Sequence, residues 1–194
     1  MKSYSKLTSE NLHLFWKTIK EESAQNYHIF DAKKVIREHP ITKAQRSYSV
    51  IDTLNSVAVL AITPNQEVVF VKQYRHGIDE ISLEIPGGII DPGEESEIAV
   101  QRELLEETGY SSQKWKKLGK IAQNPAIQNN RCELWLALDA QKSNQHDWDE
   151  GEVMETVLLP FQTCREMILD GTIEHSAVIN AFYFYEMQNQ SNKG

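Results

Sequence analysis

The chain has 194 residues, 40% of them hydrophobic, enough to bury a sizeable core as one domain or as one domain with a small appendage. A net charge of −8 argues against a nucleic-acid-binding surface and repels phosphate-bearing ligands unless cations or local arginines intervene. Its apolar runs are too short for a membrane span, and MKSYSKLTSENLHLFWK lacks the apolar core and cleavage site of a signal peptide, so a cytoplasmic protein is expected.

In chain order, residues 9 to 22 read as an amphipathic helix with Leu12, Phe15, Trp16 and Ile19 on one face and Ser9 as cap. NYHIF, KKVIRE and RSYSVID read as short strands, with a turn at Pro40 between the last two. The character of the chain changes near residue 55. SVAVLAI, the turn TPNQ and EVVFVKQYR then form an apolar β-hairpin, and residues 81 to 85 add a strand entering a glycine pair. Ile98, Ala99, Val100, Leu104 and Leu105 recur at helical spacing, so a helix runs from about Glu94 or Glu95 to Thr108, stopped by Gly109. KWKKLGKIA, RCELWLALDA and EVMETVLLP are further strands, followed by helices near 161 to 169 and 176 to 188, split by Gly171. Strands and helices mix without regular βαβ alternation, which predicts an α+β fold rather than a doubly wound sheet. Cys132 and Cys164 belong to no CxxC or Cys/His cluster and are expected to be reduced packing residues, not a disulfide framework or a zinc site.

The helix after the glycine pair raises an electrostatic question. Positions 91 to 107 carry seven acidic residues and a single basic one, Arg102. Asp91, Glu94, Glu95 and Glu97 lie near the helix start, where its dipole favours anions. Glu103, Glu106 and Glu107 lie in the last two turns, where the dipole disfavours them and their spacing puts them side by side. One reading is a solvated acidic face partly neutralised by Arg102 and by Lys114, Lys116 and Lys117. The other is a site for a hard cation, since magnesium, manganese and calcium prefer carboxylate oxygens.

The fixed spacing decides between them. Gly88, five residues, Glu94, seven residues, Arg102, Glu103, Leu104, one residue, Glu106, Glu107, one residue and Gly109 resembles the Nudix box, the signature of the Nudix hydrolase family. Only the final aliphatic position departs, with Tyr110 where Ile, Leu or Val is usual. The surrounding pattern extends the resemblance over roughly residues 45 to 188. It implies a Nudix fold, a mixed β-sheet sandwiched between helices, over residues 53–194, preceded at 1–52 by the N-terminal helix and a small β-domain. It also implies Mg²⁺ as cofactor, with Mn²⁺ as the alternative. Glu103 and Glu107 would be the principal metal ligands, Glu106 would share the metals or their water shell, and the backbone carbonyl of Gly87 would be another ligand. The family pairs Arg102 with Glu94 to orient the loop on the helix.

VKQYRHG followed by LEIPGG resembles the ADP-ribose pyrophosphatase and nucleotide-sugar hydrolase branch, in which the arginine at the position of Arg75 contacts the substrate phosphates. Pro125, sixteen residues after Gly109, matches a second marker of the ADP-ribose enzymes. The glycine and acidic residue common after that proline are missing, and NPAIQNNR looks closer to a nucleoside diphosphate sugar hydrolase. Asn129 and its neighbours Asn124, Gln128 and Asn130 suit a sugar or base, yet fit a turn equally well. By the same resemblance the acidic loop HDWDEGEVMET supplies the general base, Glu150, and a further metal ligand, Glu152, and a shift of two residues would exchange the two roles. His76 and His146 are left out of the catalytic set. The branch uses its N-terminal β-domain for a swapped homodimer, so a homodimer is expected. The implied activity is hydrolysis of nucleoside diphosphate sugars such as ADP-ribose or GDP-mannose to a nucleoside monophosphate and a sugar phosphate. The alternative is a non-catalytic Nudix module that binds such nucleotides as a sensor. Cleansing of oxidised nucleoside triphosphates and hydrolysis of coenzyme A or RNA caps fit the QYR strand and Pro125 less well.

Overall fold

The computed structural model describes residues 11 to 143 and 153 to 191. By compactness the chain divides at Thr53/Leu54: one unit comprises the described residues up to Thr53 together with Asn124–Asn129, and the second the described remainder.

In the first unit, strands β1 (Lys17–Glu21), β2 (Gln25–Asn26), β3 (Asp31–Glu38) and β4 (Gln45–Asp52) form one antiparallel sheet, with β1, β2 and β4 all paired to β3. The helix expected over residues 9 to 22 is not there. Among the described residues that stretch holds a single 3₁₀ turn, Leu12–Leu14, and then β1. Pairing of Lys17 with Glu38 and Glu21 with Val35 satisfies its backbone across the sheet, and Leu12, Leu14, Phe15 and Ile19 stay exposed, so no buried stripe supports a helix. NYHIF is also a correction. Only Asn26 of it lies in a strand, and a turn follows in which the Asn26 side chain accepts the His28 N–H and Tyr27 N–H bonds to the Phe30 carbonyl.

The second unit holds a six-stranded sheet in the order β12-β6-β5-β10-β9, with β7 also paired to β6. Its strands are β5 (Ser56–Ile62), β6 (Glu67–Arg75), β7 (Glu80–Glu84), β9 (Lys114–Ile121), β10 (Cys132–Leu138) and β12 (Met154–Pro160). The β5–β10 pair is parallel and the others are antiparallel, as a mixed α+β sheet requires. Two short strands escaped the sequence reading, β8 (Tyr110–Ser111) and β11 (Gln141–Lys142), which pair with each other. The helices are α1 (Ser96–Thr108), α2 (Phe161–Leu169) and α3 (Ser176–Ser191).

SVAVLAI is continuously apolar because both faces of β5 are covered. Val57, Val59 and Ala61 pack with Ala99, Val100 and Leu104 of α1, whereas Ala58, Leu60 and Ile62 pack with Cys164, Ala177, Val178 and Ala181 of α2 and α3. The sheet is thus sandwiched between helices, as expected. Tyr110 is buried in the α1 face and takes over the apolar role of the usual aliphatic residue. Both cysteines are free and buried, and burial raises each thiol, that of Cys164 to about 12. Among the described residues no helix is long and apolar enough to cross a membrane.

Helix α1 ends with Gly109 in the left-handed region at φ 69°, its N–H on the Leu105 carbonyl at 2.8 Å. The Thr108 hydroxyl donates to the Leu104 carbonyl and accepts the Tyr110 N–H at 3.1 Å, so it fastens the last turn to β8. Thr108→Val keeps the shape and removes the acceptor, with an expected cost of about 1 kcal/mol. Thermal unfolding should show a Tm roughly 2–4 °C lower.

Candidate active site

The site begins with two glycines that are needed for space. The segment from Pro86 to Gly88 lies along β5, with the Val59 N–H on the Pro86 carbonyl at 2.8 Å and the Val57 N–H on the Gly88 carbonyl at 2.9 Å. A Cβ on Gly87 would stand 2.2 Å from the Val57 carbonyl oxygen. A Cβ on Gly88 would stand 2.3 Å from Glu103 Oε1. One glycine lets the loop lie against the sheet, and the other leaves room for a carboxylate from α1.

The far end of α1 brings two carboxylates to this loop, those of Glu107 and Glu103, and Glu106 joins Glu103 on Arg102. Glu107 is only 6% exposed and accepts the Gly87 N–H on Oε2 at 2.9 Å. Glu103 Oε1 and Glu106 Oε2 both accept from Arg102 Nη1, at 2.9 and 3.0 Å. Arg102 also donates from Nε and Nη2 to the two Glu94 oxygens, each at 3.1 Å, and from Nη2 to the Ile89 carbonyl. The Arg102–Glu94 pair implied by the resemblance is therefore present, and the same guanidinium gathers the cluster that the sequence left unneutralised. Its hydrogen bonds to Glu94 push the Arg102 pKa further up against the cost of burial, with Glu106 and Glu103 adding to the effect. Lys114 and Lys117 are engaged elsewhere. Lys114 pairs with Asp139, and Lys117 and Lys120 pair with Glu133, across neighbouring strands.

Among the described residues no three His, Cys, Asp or Glu side chains already form a metal cluster. The donor set nonetheless fits a hard cation: three carboxylates stand at one helix end beside a glycine loop, and the space next to the Glu103 carboxylate is kept open by the missing Cβ of Gly88.

Arg75, at the end of β6, makes a two-pronged bond to Glu84, at the end of β7, with Nε–Oε1 2.7 Å and Nη2–Oε2 2.6 Å. The Glu84 side chain is 3% exposed and that of Arg75 46% exposed. His175, just before α3, places Nε2 3.4 Å from Glu84 Oε2. Burial raises the Glu84 pKa, but the hydrogen bonds from Arg75 and the charges of His175 and Arg75 outweigh it and hold the carboxyl below its ordinary value. Burial lowers the His175 pKa, reinforced by Arg75 and opposed by Glu84. Both folded-state pKa values are depressed, so the stability tied to these groups is complete at neutral pH and lost as pH falls. A Tm series is expected to decline first below about pH 6.5, where the unfolded histidine takes up its proton, and further through the carboxylate range.

Pro125 and Asn129 lie in the segment Asn124–Asn129, which belongs to the first unit. There Asn129 donates from Nδ2 to Asp52 Oδ1 at 2.6 Å and accepts the Thr53 N–H on Oδ1 at 3.2 Å. Asp52 in turn pairs with Lys33 at 2.7 Å, so the side chain of Asn129 fastens this segment to the end of β4. Glu150, Glu152 and His146 lie outside the described residues. Sequence reasoning passed over Glu84 and His175. An acidic residue at the end of an otherwise apolar strand, in LEIPGG, was the available signal for Glu84, and His175 had none.

Residues 52–182 match the family model of the NUDIX domain. The methanol dehydrogenase activator of Bacillus methanolicus is 31% identical over 134 residues, covering 69% of this chain and 72% of its own. The ADP-ribose pyrophosphatase of Bacillus subtilis (strain 168) is 26% identical over 173 residues, 89% of this chain and 93% of its own. The GDP-mannose pyrophosphatase of Klebsiella pneumoniae is 28% identical over 139 residues, 67% and 70% of the two chains. A crystal structure of an ADP compounds hydrolase superposes with a TM-score of 0.79 at 20% identity, covering 91% of this chain and 95% of that one, a likeness of fold. With the glycine loop, the Arg102–Glu94 clamp and the three carboxylates standing where the box requires them, and the family match spanning most of the chain, this protein belongs to the Nudix family.

Proposed function

We propose that this chain is a divalent-metal-dependent pyrophosphohydrolase of nucleoside diphosphate sugars such as ADP-ribose or GDP-mannose, releasing a nucleoside monophosphate and a sugar phosphate. The observation that carries the reading is the placement of Glu107 and Glu103 against the Gly87–Gly88 loop, with Glu106 tied to Glu103 through Arg102. The named activities of the pyrophosphatase relatives give the substrate class. A pure sensor has no need of such a cluster.

Nudix hydrolases depend on divalent metal ions, and Mg²⁺ is proposed here. When bound, the ion neutralises the pyrophosphate oxygens and acidifies the attacking water. Glu103 and Glu107 are its proposed carboxylate ligands, with Glu106 beside them. The Gly87 carbonyl is proposed as a further ligand on the family resemblance; the carbonyls on either side, of Pro86 and Gly88, accept N–H groups of β5. Arg102 fixes the helix end against the loop at Ile89, so the carboxylates would present the bound ion in one orientation. Arg75 holds the substrate phosphates. Pro125 and Asn129 are proposed to meet the base or sugar, and Glu150 to accept the proton of the water, with Glu152 as a further ligand.

A cytoplasmic homodimer is part of the same proposal. The N-terminal sheet has a single fully buried apolar residue, Val35, while Leu12, Leu14, Phe15, Ile29 and Ile41 are exposed, and a second copy of the chain would cover them.

The test is a panel of ADP-ribose, ADP-glucose, GDP-mannose, UDP-glucose and nucleoside triphosphates with Mg²⁺, read as release of monoester phosphate. Turnover of the diphosphate sugars is expected. Tight binding of one of them without turnover would establish the sensor reading instead.

A further inference from the structure

The buried carboxylate of Glu84 is contacted by Arg75 and Ser82 of its own hairpin and, from far along the sequence, by His175, and of these only Arg75 has a role in the reaction above. We propose that His175 is a positioning residue for substrate binding: from the start of α3 it holds Glu84, and through Glu84 it fixes the Arg75 guanidinium at the substrate phosphates. The inference rests on the proposed function, which gives Arg75 its task.

The geometry runs as a chain. In the hairpin of β6 and β7 the strand partner of Arg75 is Glu80, yet its guanidinium lies on Glu84, at the far end of β7. A long side chain that is nearly half exposed is restrained by that two-pronged bond, whose placement depends on the carboxylate that accepts it. Glu84 Oε2 takes Arg75 Nη2 at 2.6 Å and faces His175 Nε2 at 3.4 Å. His175 Nδ1 is buried with no hydrogen-bond partner among the described residues, so Glu84 is the polar group that the ring faces. Nε2 is the ring nitrogen on the carboxylate side, 3.4 Å from Glu84 Oε2, so a proton carried there lies between the ring and Glu84. Glu84 also stands three residues before Gly87, whose N–H holds Glu107. One buried carboxylate thus anchors the arginine proposed to bind phosphate, close in sequence to the loop that holds Glu107.

Steady-state kinetics with Mg²⁺ on the nucleoside diphosphate sugar that the wild type turns over best separates this role from a structural one. His175→Ala should raise KM about 5- to 20-fold and leave kcat within about twofold, the pattern of lost uniform binding. His175→Gln, which returns an N–H near the position of Nε2, should recover most of the loss, while His175→Leu, which fills the volume without a donor, should not. Should the alanine variant fail to fold, the Gln and Leu pair decides. Equal KM for wild type, Gln and Leu variants, or a loss confined to kcat, overturns the positioning role. Absence of turnover by the wild type on every diphosphate sugar overturns the proposed function itself, and this inference with it.

Discussion

Glu107→Gln lowers turnover of nucleoside diphosphate sugars by at least about two orders of magnitude and leaves the fold intact. Glu107 is the most deeply buried of the three carboxylates, and its Oε2 accepts the Gly87 N–H. Glutamine retains an oxygen for that bond and nearly the same volume, so the loop keeps its place. What it removes is the negative charge that a divalent cation needs, at the position where α1 meets the loop. Turnover by the purified variant in Mg²⁺, together with its thermal unfolding curve, checks both halves. Near-normal turnover would sink the assignment of Glu107 as a metal ligand.

Alanine at the two loop glycines is expected to separate stability from chemistry. In Gly87→Ala the new Cβ meets the Val57 carbonyl oxygen at 2.2 Å and Ala58 Cα at 2.7 Å, both backbone atoms of a central strand that cannot step aside. The expected cost is about 3 kcal/mol, a fall in Tm of roughly 6–12 °C. In Gly88→Ala the nearest atoms are the two oxygens and the carboxyl carbon of Glu103, the tip of a side chain that can swing away. Stability should change by less than about 1 kcal/mol, while turnover falls roughly 10- to 100-fold because a metal-binding carboxylate has been displaced. Melting curves and kcat for the two variants measure the contrast; a Gly88→Ala enzyme with unchanged kcat would show that the position of Glu103 does not matter to the reaction.

The parts of this protein that were legible in its sequence are those whose determinants are local. The box places Gly88, Glu94, Arg102, Glu103, Glu106 and Glu107 at fixed separations on one loop and one helix, so their juxtaposition follows from helix geometry and a single turn. Strand β5 announced itself by an unbroken apolar run, since both of its faces are covered. What the sequence concealed depends on pairing at a distance. Leu12, Phe15, Trp16 and Ile19 have helical spacing, but Lys17–Glu21 finds its hydrogen-bond partners on β3, and that competition is invisible to a local pattern. Proximity in sequence offers Lys117 as a partner for the acidic helix, whereas its ammonium pairs with Glu133 across the β9–β10 pair. Asn129 reads equally as a sugar- or base-binding side chain and as a turn former, and the hydrogen bonds of its amide to Asp52 and Thr53 come from pairing that the local sequence does not show. Glu84 and His175 meet only through the fold, because the hairpin of β6 and β7 and the start of α3 come together in space and not in sequence.

The most direct measurement of the central claim is the identity of the bond cleaved. Phosphorus NMR of ADP-ribose or GDP-mannose incubated with the protein, in Mg²⁺ and separately in excess EDTA, follows the pyrophosphate signals as they are consumed. Conversion of both phosphorus atoms to monoesters, one of a nucleoside monophosphate and one of a sugar phosphate, in Mg²⁺ alone is the predicted result. Pyrophosphate signals that persist in Mg²⁺, or that vanish equally in EDTA, would contradict it.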